Sequence, residues 1–205
     1  MQGPFVMKIG GSLIDQVPGI SRALLSSPGP ALIIPGGGPF ANLVRTLNVP
    51  DEESHWMAVL GMEQYGWYIS SFGISTSPVL QVPGRPTVLL PYALLQNEDP
   101  LPHRWDITSD TIAAWVAYRL RLDLVVLKSV DGIMKGNSPI QQVTTPMSCE
   151  EVDLGFIRFV LDHGVRTLIM NGRTIERVQA LLRGELVEGT RIGTCLLYTS
   201  DAADE

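Results

Sequence analysis

The chain has 205 residues, 45% of them hydrophobic and 18% charged, with a formal net charge of -6. That is enough for one large domain, or two small lobes sharing a sheet, to bury a core without covalent staples. The acidic balance, without any run of Lys or Arg, excludes general binding to nucleic acid or to an anionic membrane, and no apolar run reaches the roughly 18 residues of a membrane span.

The first element is a buried strand over Phe5–Ile9. It carries Lys8 and breaks into Gly10, Gly11 and Ser12. Glycines let the main chain approach a phosphoryl group, the hydroxyl adds a donor and the lysine adds a full charge, so the stretch reads as a phosphate grip. The same residues also suit a strand that ends in an ordinary Gly-Gly turn. No charged segment followed by an apolar leader precedes the strand, so a cytoplasmic protein is expected.

Further β-rich runs fall at residues 31–34, 79–82, 87–90, 124–127 and 167–170. Segments with helical spacing lie between most of them, including a longer helix over 52–72. Strands alternating with helices predict an α/β fold with a mainly parallel sheet covered on both faces. The stretch from 78 to 102 is proline-rich and predicts short strands and turns.

Glycine clusters follow the strands: Gly36, Gly37 and Gly38 after the second, Asp131-Gly132 after the run at 124–127, and Asn171-Gly172 after the run at 167–170. In an open α/β sheet these loops meet at one edge, where ligands bind. Gly36 to Ala41 also satisfies G-x-G-x-x-A, with Asp51, Glu52 and Glu53 downstream, so a dinucleotide fold is an alternative to phosphate binding. Those acids open a helix rather than end a strand, which counts against it.

Thr108, Ser109 and Asp110 precede a helix and can cap it. Asp110 can equally orient a lysine at a transferred phosphoryl group. His103, Arg104 and Trp105 cluster just before. His55 and His163 lie on predicted helices and read as structural. Cys149 and Cys195 sit in no CxxC or Cys/His pattern, which argues against a disulfide framework or structural zinc. Residues 196–205 carry little to bury and resemble translated adapter text, so the folded unit is expected within 1–195.

Taken together, Lys8 to Ser12, Ile34 to Gly38, Ile107 to Asp110, Val130 to Ile133 and Asn171 to Arg173 resemble the amino acid kinase family, which includes acetylglutamate, aspartate, uridylate and carbamate kinases. Pro39 to Asn42, the His103/Trp105 pair and Glu176 to Val178 are most similar to its small aminomethylfuran phosphate kinases of methanofuran biosynthesis. The resemblance implies a three-layer αβα sandwich, usually a homo-oligomer, that moves the γ-phosphoryl group of ATP, with Mg2+, to a small carboxylate or phosphate acceptor such as UMP. The acceptor-binding part would be about 1–105 and the nucleotide-binding part about 106–195.

By the same resemblance Lys8 and Asp110 would be catalytic. Gly10, Gly11, Ser12, Gly36, Gly37 and Gly38 would hold phosphoryl groups. Lys128, Ser129, Val130, Asp131, Gly132 and Ile133, with Asn171, Gly172 and Arg173, would lie along the nucleotide. Asn42, His103, Arg104, Trp105, Thr108 and Ser109 would meet the acceptor, and no residue is assigned as a protein ligand to a metal. Many members carry a second catalytic lysine after a Gly-Gly-Met loop. No such loop occurs between Gly132 and Asn171, so Lys135 or Arg173 would have to substitute. Arg104 and Arg45 are available for an acceptor that is a phosphate ester, although Arg45 also reads as a solvated helix residue. A nucleotide-binding protein that has lost transfer, or a nicotinamide-dependent oxidoreductase, are the alternatives.

Overall fold

The computed structural model describes residues 3–27, 29–136 and 138–193, so Cys195 and the expectation about residues 196–205 lie outside it. In chain order, β1 (Phe5–Ile9) passes through a short 3-10 turn (Gly11–Gln16) into α1 (Val17–Leu25). Then come β2 (Ala31–Pro35), α2 (Gly38–Arg45), the long α3 (Asp51–Ser70), β3 (Ser75–Ser77), β4 (Thr87–Leu89), α4 (Tyr92–Glu98) and α5 (Ser109–Leu120). β5 (Asp123–Lys128) follows, then a small hairpin of β6 (Met134–Lys135) and β7 (Ser138–Pro139), then β8 (Gln142–Val143), α6 (Phe156–Asp162), β9 (Thr167–Asn171), α7 (Ile175–Arg183) and β10 (Thr190–Ile192).

The main sheet has the order β3-β4-β2-β1-β5-β9-β10-β8. Its strands from β3 to β9 pair in parallel, and β10 reverses against β9. Helices cover both faces, which gives the three-layer sandwich. β1 lies inside the sheet and every one of its residues is buried, as expected of a central strand with continuous apolar character.

Alternation along β1 sorts its side chains between the two faces. Val6 packs in one core with Ile112 and Trp115 of α5, whereas Phe5, Met7 and Ile9 pack in the other with residues of α1 and α7. Lys8 shares the face of Val6, so the strand directs its ammonium group toward the N-terminus of α5.

The strand expected at 79–82 is absent. Pro78 and Pro83 bracket that run, and Val79 and Val82 are about half exposed, at 55% and 51%. The edge strand is instead the polar Ser75–Ser77, paired in parallel with β4. The prolines at each end of that run have no N–H to give a ladder and fix their own φ, while an edge strand has little apolar surface to hide.

Candidate active site

β1, β2, β5 and β9 share one rim at their carboxyl ends, and the loops that leave them are stitched together. The Gly36 N–H donates to Ile9 O at 2.9 Å, the Gly10 N–H to Leu127 O at 3.1 Å and the Gly172 N–H to Lys128 O at 2.8 Å. β1 is the strand at which the sheet order turns back, with β2 on one side and β5 on the other, the position where open α/β sheets receive ligands.

Gly11 and Gly38 meet backbone to backbone. A Cβ on Gly11 would stand 2.4 Å from Gly38 Cα, and Gly38 has φ of 55°, the left-handed region that favours glycine. Buried Tyr65 donates its hydroxyl to Gly10 O at 3.3 Å from below. Burial pushes its phenol pKa up, so the hydroxyl remains a donor.

Above this cradle lies a cavity of about 490 Å³. Lys8, Gly10, Gly11, Ser12, Gly37 and Gly38 line one part of it, Thr108, Ser109, Asp110 and Lys128 another, and Asn42, Arg104 and Trp105 a third. Gly36 lies beneath the cradle. His103 is outside the lining. So are Ser129, Val130, Asp131, Gly132 and Ile133, which follow β5 on the same rim, and Asn171, Gly172 and Arg173, which follow β9.

The charged centre is a buried carboxylate between two lysines. Lys8 Nζ is 2.7 Å from Asp110 Oδ1, and Lys128 Nζ is 2.7 Å from Oδ2. Lys8 and Asp110 are almost fully buried, at 3% and 4% exposure. Burial lowers the Lys8 pKa to about 8 against the pull of Asp110, and the like charge of Lys128 lowers it further. For Asp110 burial acts upward, but the two lysines outweigh it and bring the carboxyl down to about 2. The trio therefore carries a net positive charge at neutral pH.

Asp110 does not cap α5, and neither does Ser109. That role falls to Asp153, which arrives from the loop before α6. Its Oδ2 accepts from the Thr108 N–H at 2.9 Å, the Thr108 hydroxyl at 2.9 Å and the Thr111 N–H at 3.1 Å, while Oδ1 accepts from the Thr111 hydroxyl at 2.5 Å. Burial, together with the charge of Asp110, raises the Asp153 pKa. Asp153 also lines the cavity, and nothing in its sequence surroundings marks it out.

His103 is gripped by two carboxylates, with Nδ1 2.5 Å from Glu52 Oε2 and Nε2 2.6 Å from Asp99 Oδ1. These bonds, Glu52 first, raise its pKa. His55 stacks on it with ring centroids 4.1 Å apart. Burial and the neighbouring imidazolium lower the His55 pKa to about 4, so a neutral imidazole lines the cavity. The sequence reading of His55 as purely structural missed this placement, because helical spacing alone does not separate a cavity wall from a core.

The loops after β5 and β9 are braced by their own contacts. Asp131 accepts from Asn171 at 3.1 Å and pairs with Arg177 at 2.6 Å, and the Ile133 N–H donates to Thr190 Oγ1 at 2.8 Å. Arg173 pairs with Asp15 at 2.9 Å and donates to Ser12 O at 3.0 Å. Lys135 is exposed on the small hairpin. Neither Lys135 nor Arg173, the two residues weighed from sequence as a substitute for the second lysine, pairs with Asp110; Lys128, assigned from sequence to the nucleotide, is the cation that shares this carboxylate with Lys8.

The family model described as the amino acid kinase family matches residues 3–175. A [5-(aminomethyl)furan-3-yl]methyl phosphate kinase from Methanocaldococcus jannaschii is 28% identical over 201 residues, covering 88% of this chain and 93% of that protein. Among solved structures, uridylate kinase from Archaeoglobus fulgidus superposes with a TM-score of 0.63 at 14% identity, covering 94% of this chain and all of that one. An isopentenyl phosphate kinase does so with a TM-score of 0.56 at 19% identity, over 92% of this chain and all of that one. With the sheet order, the glycine cradle and the matched span all in agreement, the chain is a kinase that belongs to the amino acid kinase family.

Proposed function

We propose that the chain transfers the γ-phosphoryl group of ATP to the phosphate of a small ring-bearing phosphate monoester, with an aminomethylfuran methyl phosphate as the first candidate and UMP as the second. The observation that carries this reading is Asp110 holding Lys8 and Lys128 at 2.7 Å each beside the glycine cradle. Two phosphate groups repel each other on approach, and fixed ammonium groups in a site of low dielectric offset that repulsion.

In this mechanism a non-bridging oxygen of the acceptor phosphate forms the new P–O bond as the bond to the ADP oxygen breaks. Lys8 lies over the oxygens of the migrating group, and backbone N–H groups of the loops at 10–12 and 37–38 hold the phosphates in line. Catalysis then rests on positioning and charge neutralisation, with no covalent enzyme intermediate. The bare peptide edges of Gly11, where no side chain fits against Gly38, and of Gly38, whose φ is positive, suit the phosphates of ATP. Mg2+ would travel on the nucleotide phosphates and would supply further charge neutralisation there.

The loops at 128–133 and 171–173 are assigned to the nucleotide, and the surface formed by residues up to about 105 to the acceptor. No helix among the described residues is long and apolar enough to cross a membrane; a cytoplasmic enzyme is the reading that goes with ATP and small phosphate substrates. Leu60 and Trp67, exposed on α3, suit a homo-oligomer.

The test is ADP formation from ATP in the presence of each acceptor, with the phosphorylated product identified by mass. Transfer to a phosphate monoester supports the reading. ATP binding without transfer to any acceptor in a broad screen refutes it and favours a nucleotide-binding protein of the same fold.

A further inference from the structure

Four cationic side chains line the cavity: Lys8, Lys128, Arg104 and Arg45. Three have a carboxylate. Lys8 and Lys128 share Asp110, and Arg104 donates to Asp106 at 2.9 Å. Arg45 has none within ion-pair distance among the described residues. Its partners are neutral: Nη1 donates to Asn42 Oδ1 at 3.0 Å, and the guanidinium lies over the Trp105 ring, 4.9 Å from its centroid.

We propose that Arg45 is the anchor for the acceptor's phosphate, a guanidinium pinned between Asn42 and Trp105 whose charge is left for the ligand to neutralise. This rests on the reading of the cavity as the site of a kinase with a phosphate acceptor. An indole below and an amide at one nitrogen restrict the fork without reducing its charge, and the other N–H groups have no partner among the described residues. A planar fork held in advance loses little freedom when it meets two phosphate oxygens, and guanidinium is the cation whose geometry matches them.

The position also explains why two separate segments build this wall. Arg45 closes α2, which begins at the glycine cradle, and Trp105 sits on the segment between α4 and α5 that His103 ties to α3 through Glu52. Arg104, next to Trp105 and the more obvious candidate from sequence, is engaged by Asp106. Trp105 thus acts as a positioning residue for Arg45.

The test titrates the full chain calorimetrically with methyl phosphate and with aminomethylfuran methyl phosphate, comparing the parent with Arg45→Met, Arg45→Lys and Trp105→Leu. Arg45→Met should weaken both ligands by at least about 20-fold, the loss expected for a charge-assisted pair, while ATP affinity stays unchanged. Arg45→Lys should recover only part, because it keeps the charge and loses the fork. Trp105→Leu should fall between the parent and Arg45→Met. In turnover, Arg45→Met should raise KM for the acceptor far more than it lowers kcat.

Undiminished affinity in Arg45→Met, or a parent chain that binds neither phosphate ester, overturns the proposal. If the parent binds methyl phosphate through Arg45 yet transfers to no acceptor, the kinase reading falls and the anion seat stands. If Arg45→Met turns over with the parent's KM for the acceptor, the seat falls and the kinase reading stands.

Discussion

Lys128 Nζ donates to Asp110 Oδ2 at 2.7 Å, on the far side of the carboxylate that Lys8 contacts. One buried aspartate thereby sets the position of two cations contributed by different strands. Asp110→Asn leaves two ammonium groups facing each other without a counter-charge. It should lower kcat by about 100-fold or more, comparable to losing a preorganised stabilising group, and should lower the Lys8 pKa further. Steady-state assays check this, and activity near the parental level would contradict the shared-aspartate arrangement.

The pH dependence follows from Lys8. Transfer needs the ammonium form, so kcat/KM should fall as pH rises through about 8. Because the charge of Lys128 helps lower that pKa, the residual activity of Lys128→Met should hold to higher pH than the parent's. An alkaline limb that does not move in the variant would separate the two lysines electrically.

Stability responds differently. The folded pKa of Lys8, about 8, lies below its ordinary 10.5, so between these values the unfolded chain binds more protons and this group makes the fold more stable as pH rises. Asp110, lowered from 3.8 to about 2, contributes stability above about pH 4 that is lost as pH falls through 2. Melting temperatures of the parent and Asp110→Asn across both windows test the two signs.

Asp153→Ala removes four hydrogen bonds from the first turn of α5. The expected destabilisation is about 2 kcal/mol, the range for a lost helix cap combined with unpaired buried donors. Turnover should also fall, since Asp110 sits in that turn. Chemical denaturation with a parallel activity assay reads both effects, and Asp153→Asn should retain part of each.

Gly11→Ala forces a methyl group to within 2.4 Å of Gly38 Cα. One of the two loops must give way, so ATP affinity should drop sharply while far-ultraviolet circular dichroism stays close to the parent's. ATP binding at the parental level would show that the two loops separate freely.

The rim was legible in the sequence because glycines must follow strands where the backbone approaches a ligand, and parallel strands then bring those glycines together. Lys8 was legible for the same reason, since alternation along β1 sets its face. Asp153 was not, because its partners Thr108 and Thr111 lie more than 40 residues away and a trans cap leaves no local pattern. His55 was hidden by helical spacing. The polar β3 was missed in favour of residues 79–82 because apolar content ranks a strand by burial, while an edge strand is held by its ladder. Arg45 was legible as one of two arginines available to a phosphate ester, but only its neutral neighbours set it apart from Arg104, which pairs with Asp106.

Arg173 ties the loop after β9 to Asp15 and to the carbonyl of Ser12, joining parts of the chain about 160 positions apart. Closing so long a loop costs chain entropy that the packing of the segments between offsets. The Arg173–Asp15 half of this staple is exposed at both ends and weakens as salt screens it, whereas the guanidinium bond to the Ser12 carbonyl joins the turn after β1 directly to the loop after β9.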